Sequence, residues 1–143
     1  MFINLFLINL ASSLALTGLI WFVQVVHYPS FLKVNSENFQ PFHSFHVFRT
    51  GLVVIPFMLA ELISSIILSL GNFPLGYIHQ VGLGLVILIW LSTFAIQAQA
   101  HRKINSDANT IELSKLVKTN WLRTILWSLK ALITLYGLNL MLQ

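Results

Sequence analysis

The sequence predicts an all-α fold: a polytopic membrane protein built as a four-transmembrane-helix bundle, with short amphipathic helices in two cytoplasmic connections. Three observations carry that prediction. Of the 143 residues 57% are hydrophobic and only 8% charged, whereas ordinary soluble domains carry about 25% charged residues. Four segments, near 4–27, 49–70, 78–100 and 120–142, hold enough apolar residues to span a bilayer, which takes about 20. The basic residues crowd into two of the three connections. One integral membrane domain, 1–143, accommodates all of this.

The first segment reads as a retained helix. No basic residue precedes Lys33, and the apolar run exceeds the roughly 7–15 residues of a secretory core. The second segment contains Pro56, which removes a ladder hydrogen bond and predicts a kink. Between the second and third segments "GNFPLGY" (71–77) has the glycine and proline content of a tight hairpin. Within the third, "GLGLV" (82–86) supplies small residues that permit close helix packing.

The other two connections are longer and polar. In the first, Ser36 or Asn38 can cap a helix, with Pro41 in its first turn if Asn38 is the cap. This helix is expected to run past His43 and His46 into the second span. In the second connection Asp107 or Thr110 can cap an amphipathic helix. Lys33, Arg49, Arg102, Lys103, Lys115, Lys118 and Arg123 lie in or beside these two connections. The positive-inside rule therefore makes them cytoplasmic and puts both termini on the other side. The basic balance reflects topology and anionic lipid head groups, not nucleic-acid binding.

At 100° per residue each span shows one polar face. Asn9, Ser13, Thr17, Gln24 and His27 form a stripe on the first, and His43, His46, Thr50 and Glu61 share a face of the second. Thr93, Gln97 and His101 align on the third, and Asn120, Thr124, Trp127 and Thr134 on the fourth. In lipid such faces turn inward. Glu61 and Lys130 lie roughly 15–18 Å inside their spans at about 1.5 Å per residue. An unpaired charge at that depth costs at least about 2.5–3.5 kcal/mol. Either the two pair with each other, or Glu61 is protonated.

Four of the five histidines, His27, His43, His46 and His101, arrive at the cytoplasmic ends of their segments, while His79 sits at the far end. Imidazole is the commonest metal ligand, and an HxxH pair shares a helix face. The expectation is a metal site on these four, holding iron, copper or zinc, or a haem ligated by two of them. A structural role at the membrane interface is the competing reading for each histidine. Glu61 and Arg123 are the candidate catalytic groups, and Gln24, Tyr28, Asn120, Trp121 and Lys130 the candidate substrate contacts. Trp127 is assigned to packing or the aromatic belt. There is no cysteine, which excludes disulfides, thiolate metal sites and cysteine nucleophiles. No Gly-rich phosphate loop or Ser-His-Asp order is present.

The motifs "TGLIWFVQVVHYPSF", "FHSFHVFRTG", Pro56-x-Met58-x-x-Glu61, "QAQAHRKI" and "TNWLRTILW" together resemble a group of small four-helix bacterial inner-membrane proteins. The layout is also loosely similar to anthrone-oxygenase-like membrane proteins, which are linked to oxidation of polycyclic substrates. These resemblances imply a location in the bacterial inner membrane. The functional expectation is a metal- or haem-dependent oxidoreductase acting on a lipophilic small molecule. The alternative is a non-catalytic binding, transport or assembly subunit of a larger membrane complex. Expected partners are the bilayer, a lipophilic small molecule, and further copies or other subunits in the membrane.

Overall fold

A computed structural model describes residues 1–106 and 110–143, with the side chains of Ser36, Asn105, Ser106 and Thr110 outside the description. Helix α1 covers Phe2–Phe22 and passes through a π-helical turn, Val23–His27, into the short α2, Tyr28–Phe31. Helix α3 covers Ser36–Leu70. Helix α4, Gly76–Ser92, passes through a second π-helical turn, Thr93–Gln97, into α5, Ala98–Ser106. Helix α6 covers Thr110–Met141. Four stretches, Phe2–Phe31, Glu37–Leu70, Gly76–Ile104 and Ile111–Met141, are long and apolar enough to cross a membrane.

The helix of the first connection runs past His43 and His46 into the second span as expected, and the amphipathic segment of the second connection is likewise the first turns of α6 and not a separate helix. An uninterrupted ladder leaves fewer unpaired backbone groups than two short helices would. Asn35, in an extended conformation, is the residue before α3, in place of Ser36 or Asn38, and α3 continues through both Pro41 and Pro56. The expected cap Asp107 lies outside the described residues, as does the side chain of Thr110.

Helix α1 packs on α3 and α6, and α4 packs on the same two from the other side. The spans therefore form a ring in which sequence neighbours touch and the first and last close the circle, the up-down-up-down arrangement of a four-helix bundle. The short hairpin ends α3 at Leu70 and starts α4 at Gly76. A Cβ at Gly71 would run into the Phe73 ring and the Ile67 carbonyl. Leu75 holds the left-handed conformation at φ 63°, an uncommon state for a residue with a branched side chain.

The inside and outside of the ring are reversed relative to a soluble bundle. Ile3, Leu7, Phe48, Leu52, Ile63 and Leu132 face outward, while Asn9, Ser13, Glu61, Asn120, Thr124 and Lys130 are buried. Lys130 Nζ donates to Asn9 Oδ1 (2.7 Å), Thr134 Oγ1 (2.9 Å) and Ser13 Oγ (3.3 Å). Ser13 Oγ donates to Glu61 Oε1 at 2.7 Å, and Trp127 Nε1 donates to Glu61 Oε2 at 3.1 Å. Asn9 Nδ2 in turn donates to the hydroxyls of Ser64 and Ser65 and to the Glu61 carbonyl.

The expected direct Glu61–Lys130 pair is therefore corrected: no such ion pair forms among the described residues, and Ser13 bridges the two groups. The ring explains this, because α3 and α6 are diagonal partners and α1 lies against both. Gly82 makes room beside the ammonium, since a Cβ there would meet Lys130 Cε at 3.4 Å. Gly84 faces open space instead.

Removing one member of a buried charge set typically costs about 3–5 kcal/mol. Glu61→Gln and Lys130→Met are each expected to destabilise the protein by that order, and the double variant by less than the sum. Unfolding in detergent measures all three; strict additivity would show that the two charges do not sense each other.

Candidate functional site

Beyond the charge network, toward the end of the bundle that carries most basic residues, Tyr28, Phe31, Phe39, Ile104, Leu113 and Leu116 pack into an apolar plug. The histidines lie between this plug and the spans. His43 stacks on Phe39 with ring centroids 5.6 Å apart, and on its other side faces His101 at 5.1 Å. Its Nε2 lies 2.9 Å from His101 Nδ1, and His101 Nε2 lies 2.9 Å from the Tyr28 hydroxyl. Three side chains from three separate segments thus make one continuous hydrogen-bonded chain.

Arg123 and Tyr28 line the same cavity, and an arginine offers only donors. The donor and acceptor roles along the chain follow the histidine tautomers, and the arrangement in which Tyr28 donates to His101 Nε2 and His101 Nδ1 donates to His43 Nε2 satisfies both contacts. Arg123 is 8% exposed, lies 5.0 Å from the centroid of the Trp127 ring, and reaches Asn120 Oδ1 at 3.4 Å. Its Nε is buried without a hydrogen-bond partner.

These groups form the polar floor of an apolar cavity of about 190 Å³. Leu16, Ile20, Val54 and Met58 are among its walls, and Tyr28, His46, His101 and Arg123 provide its polar lining. A groove of about 910 Å³ runs along the seam between α3 and the third span. Val47, Gly51, Ile55, Thr93, His101 and Arg123 line both spaces. The cavity therefore adjoins the groove on this side of the bundle, where Val47, Phe48, Ile55 and Phe94 supply apolar walls.

The two π-helical turns decide which residues reach this floor. Each adds a residue to one turn of helix, and such turns are frequent at functional sites. In the first span the wide turn brings Tyr28 above Gln24, so Tyr28 is buried while His27 swings to the side. His27 lines a separate outer groove between α1 and α3, together with Arg49 and Phe22. Its ring still lies 4.1 Å from that of His46. Each wide turn carries one buried glutamine that reaches α6. Gln24 donates to the Val117 carbonyl at 3.1 Å, and Gln97 to the Thr119 hydroxyl at 3.1 Å.

Several expected roles change. Gln24 and Asn120 bond each other at 2.9 Å, bracing the first span against the fourth behind Arg123, and neither lines the cavity. Trp121 is 42% exposed and packs edge-on against Trp21, outside the site, because its position turns to the outer face of α6. Lys130 and Glu61 belong to the deeper network and line neither the cavity nor the large groove. Trp127, read from sequence as packing, is the link: its ring carries Arg123 and its N–H holds Glu61. Its alignment with Asn120 and Thr124 was the signal for it.

The four histidines come together, but not as a ligand set. Both nitrogens of His101 are engaged in hydrogen bonds, Nε2 of His43 is taken by His101, and His46 Nδ1 lies 3.0 Å from the Thr50 hydroxyl. Among the described residues no three His, Asp or Glu side chains are arranged to hold a metal ion. As they stand these side chains do not form a three-ligand set for iron, copper or zinc.

No known protein family, curated protein or solved structure matches the chain. The likeness read from its motifs therefore carries no part of the functional reading.

Protein purified in mild detergent is expected to be colourless and to lack near-stoichiometric iron, copper or zinc. Elemental analysis and a visible spectrum check this. Metal or a Soret band lost in both His43→Ala and His101→Ala would show that the imidazoles regroup around a centre.

Proposed function

We propose that the chain is a membrane-embedded acid–base site for a lipophilic small molecule bearing an acidic oxygen. The single observation behind this reading is the hydrogen-bonded chain Tyr28–His101–His43, which starts at the floor of an apolar cavity beside Arg123. An apolar pocket with a few convergent polar groups is the usual form of a small-molecule site. Here the apolar walls take the body of the ligand, and Arg123 takes its oxygen through a charge-assisted hydrogen bond.

The chain then supplies a proton path. As the bound acid gives its proton to the Tyr28 oxygen, the Tyr28 proton passes to His101 Nε2 and the His101 Nδ1 proton to His43 Nε2. The products are a ligand anion facing Arg123 and a cationic His43, so charge and protons balance. Run backwards, the same path protonates the ligand. Tyr28, His101 and His43 are the relay, Arg123 the anion-binding group, and Gln24, Asn120 and Trp127 the residues that position it. In this reading the relay end of the bundle faces the cytoplasm of a bacterial cell, as the distribution of Lys and Arg implies.

A second reading, binding or carriage without chemistry, is favoured by the wide lateral opening of the cavity. The two separate in one experiment. Decanoate is titrated calorimetrically into the protein in neutral detergent, using buffers of different ionisation enthalpy to count linked protons. Arg123→Gln is expected to weaken binding about tenfold or more, since a hydrogen bond to a charged group contributes about 1.5–3 kcal/mol. Tyr28→Phe is expected to retain binding within a few-fold while losing the proton linkage. Linkage that survives Tyr28→Phe favours carriage. Binding indifferent to Arg123→Gln removes the proposed site.

A further inference from the structure

The side groove has a charge character that the inner cavity alone does not reveal. Arg102 and Arg123 both line it, with His43 and His101 between the same helices, and among the described residues no carboxylate does. Arg123 sits at its buried floor and Arg102 at its exposed rim. Away from these cations the groove is walled by Val47, Phe48, Ile55 and Phe94, on faces that point out of the bundle. Two guanidinium groups lining an outward-facing apolar furrow are the complement of an amphiphile with an anionic head and a hydrocarbon tail.

We propose that the natural ligand is a single-chain lipid phosphate monoester, taken from the bilayer through the seam between α3 and the third span. This rests on the acid–base reading above and names the ligand of that same site. Two guanidinium groups suit a head carrying close to two negative charges, whereas a carboxylate offers only one. A phosphate monoester carries about −1.5 to −2 charges at pH 7, because its second ionisation falls near pH 6. It is therefore a group that exchanges a proton with a histidine relay under ordinary conditions. Arginine forks match phosphate geometry with paired donors.

Gly51 is the threshold of the passage. It lines both the cavity and the groove, and a Cβ built there meets only Ile55 Cδ1, at 3.7 Å. A larger side chain would project into the passage without striking backbone.

The test titrates decyl phosphate, decanoate, decanol and inorganic phosphate, each below its micellar concentration, into the protein in neutral maltoside detergent. Decyl phosphate is expected to bind about tenfold or more tightly than decanoate, given the contribution of an added charged hydrogen bond. Decanol and inorganic phosphate should bind far more weakly, each lacking one half of the match. Arg102→Gln, at an exposed position, should bring decyl phosphate down to the level of decanoate and leave decanoate unchanged. Gly51→Phe should block both amphiphiles while the thermal unfolding midpoint stays close to that of the wild type.

Equal affinity for the two amphiphiles, or an equal loss of both in Arg102→Gln, overturns the phosphate assignment and leaves the acid–base site standing. Inorganic phosphate binding as tightly as decyl phosphate overturns the chain-bearing ligand. Undiminished binding in Gly51→Phe overturns the side entry. If neither amphiphile binds the wild type, the acid–base reading falls with the rest.

Discussion

A carboxylate and an ammonium group buried deep among helices with apolar outer faces leave those helices little choice of orientation. Glu61 and Lys130 come from α3 and α6, which stand diagonally in the ring, and Ser13 of α1 joins them. Asn9, one turn away, ties the same ammonium to the hydroxyls of α3. Rotating any one of the three helices by one residue would strip a buried charge of partners, at a penalty of several kcal/mol. The apolar contacts between spans are less selective, since a leucine meets a lipid tail nearly as well as another leucine. The polar network therefore sets the register, and close packing follows it.

The site inherits its rigidity from that network. Trp127 holds a Glu61 oxygen with its indole N–H while Arg123 lies over its ring. Arg123 is further tied to Asn120, and Asn120 to Gln24. The guanidinium is thus held from two sides before any ligand arrives, which is the preorganisation that anion recognition needs. Its fork is only partly used inside the protein, because Nε has no partner there. On the other side, the plug built on Phe31 and Phe39 holds the His43 ring against His101. Desolvation by the plug and the cavity strengthens each bond in the relay relative to the same bond in water.

The lateral groove follows from the same construction. A bundle ordered by polar contacts between the first, second and fourth spans leaves the seam between the second and third spans with fewer such ties. There Phe48, Phe94, Val47 and Ile55 supply apolar walls beside the polar lining, with glycine at 51. An opening at this position is framed mainly by apolar side chains that point out of the bundle.

Much of the architecture was written in the sequence. Four apolar segments, a glycine- and proline-bearing hairpin and one polar stripe per span lead to a four-helix bundle, because those signals are local and repeat at the helix period. The same periodicity brought His43, His46 and His101 to one end of it and assigned Asn9, Ser13, Thr17 and Thr124 to inward faces. It failed at the first wide turn. Nothing in "VQVVH" announces the extra residue per turn, and that residue is what exchanges His27 for Tyr28 at the floor. It likewise placed Glu61 and Lys130 at matching depths but could not say that a serine stands between them, since that depends on which helices are diagonal. Period and depth are properties of a single helix, which a sequence states. Which donor meets which acceptor is a property of helices taken together, and only their packing decided it.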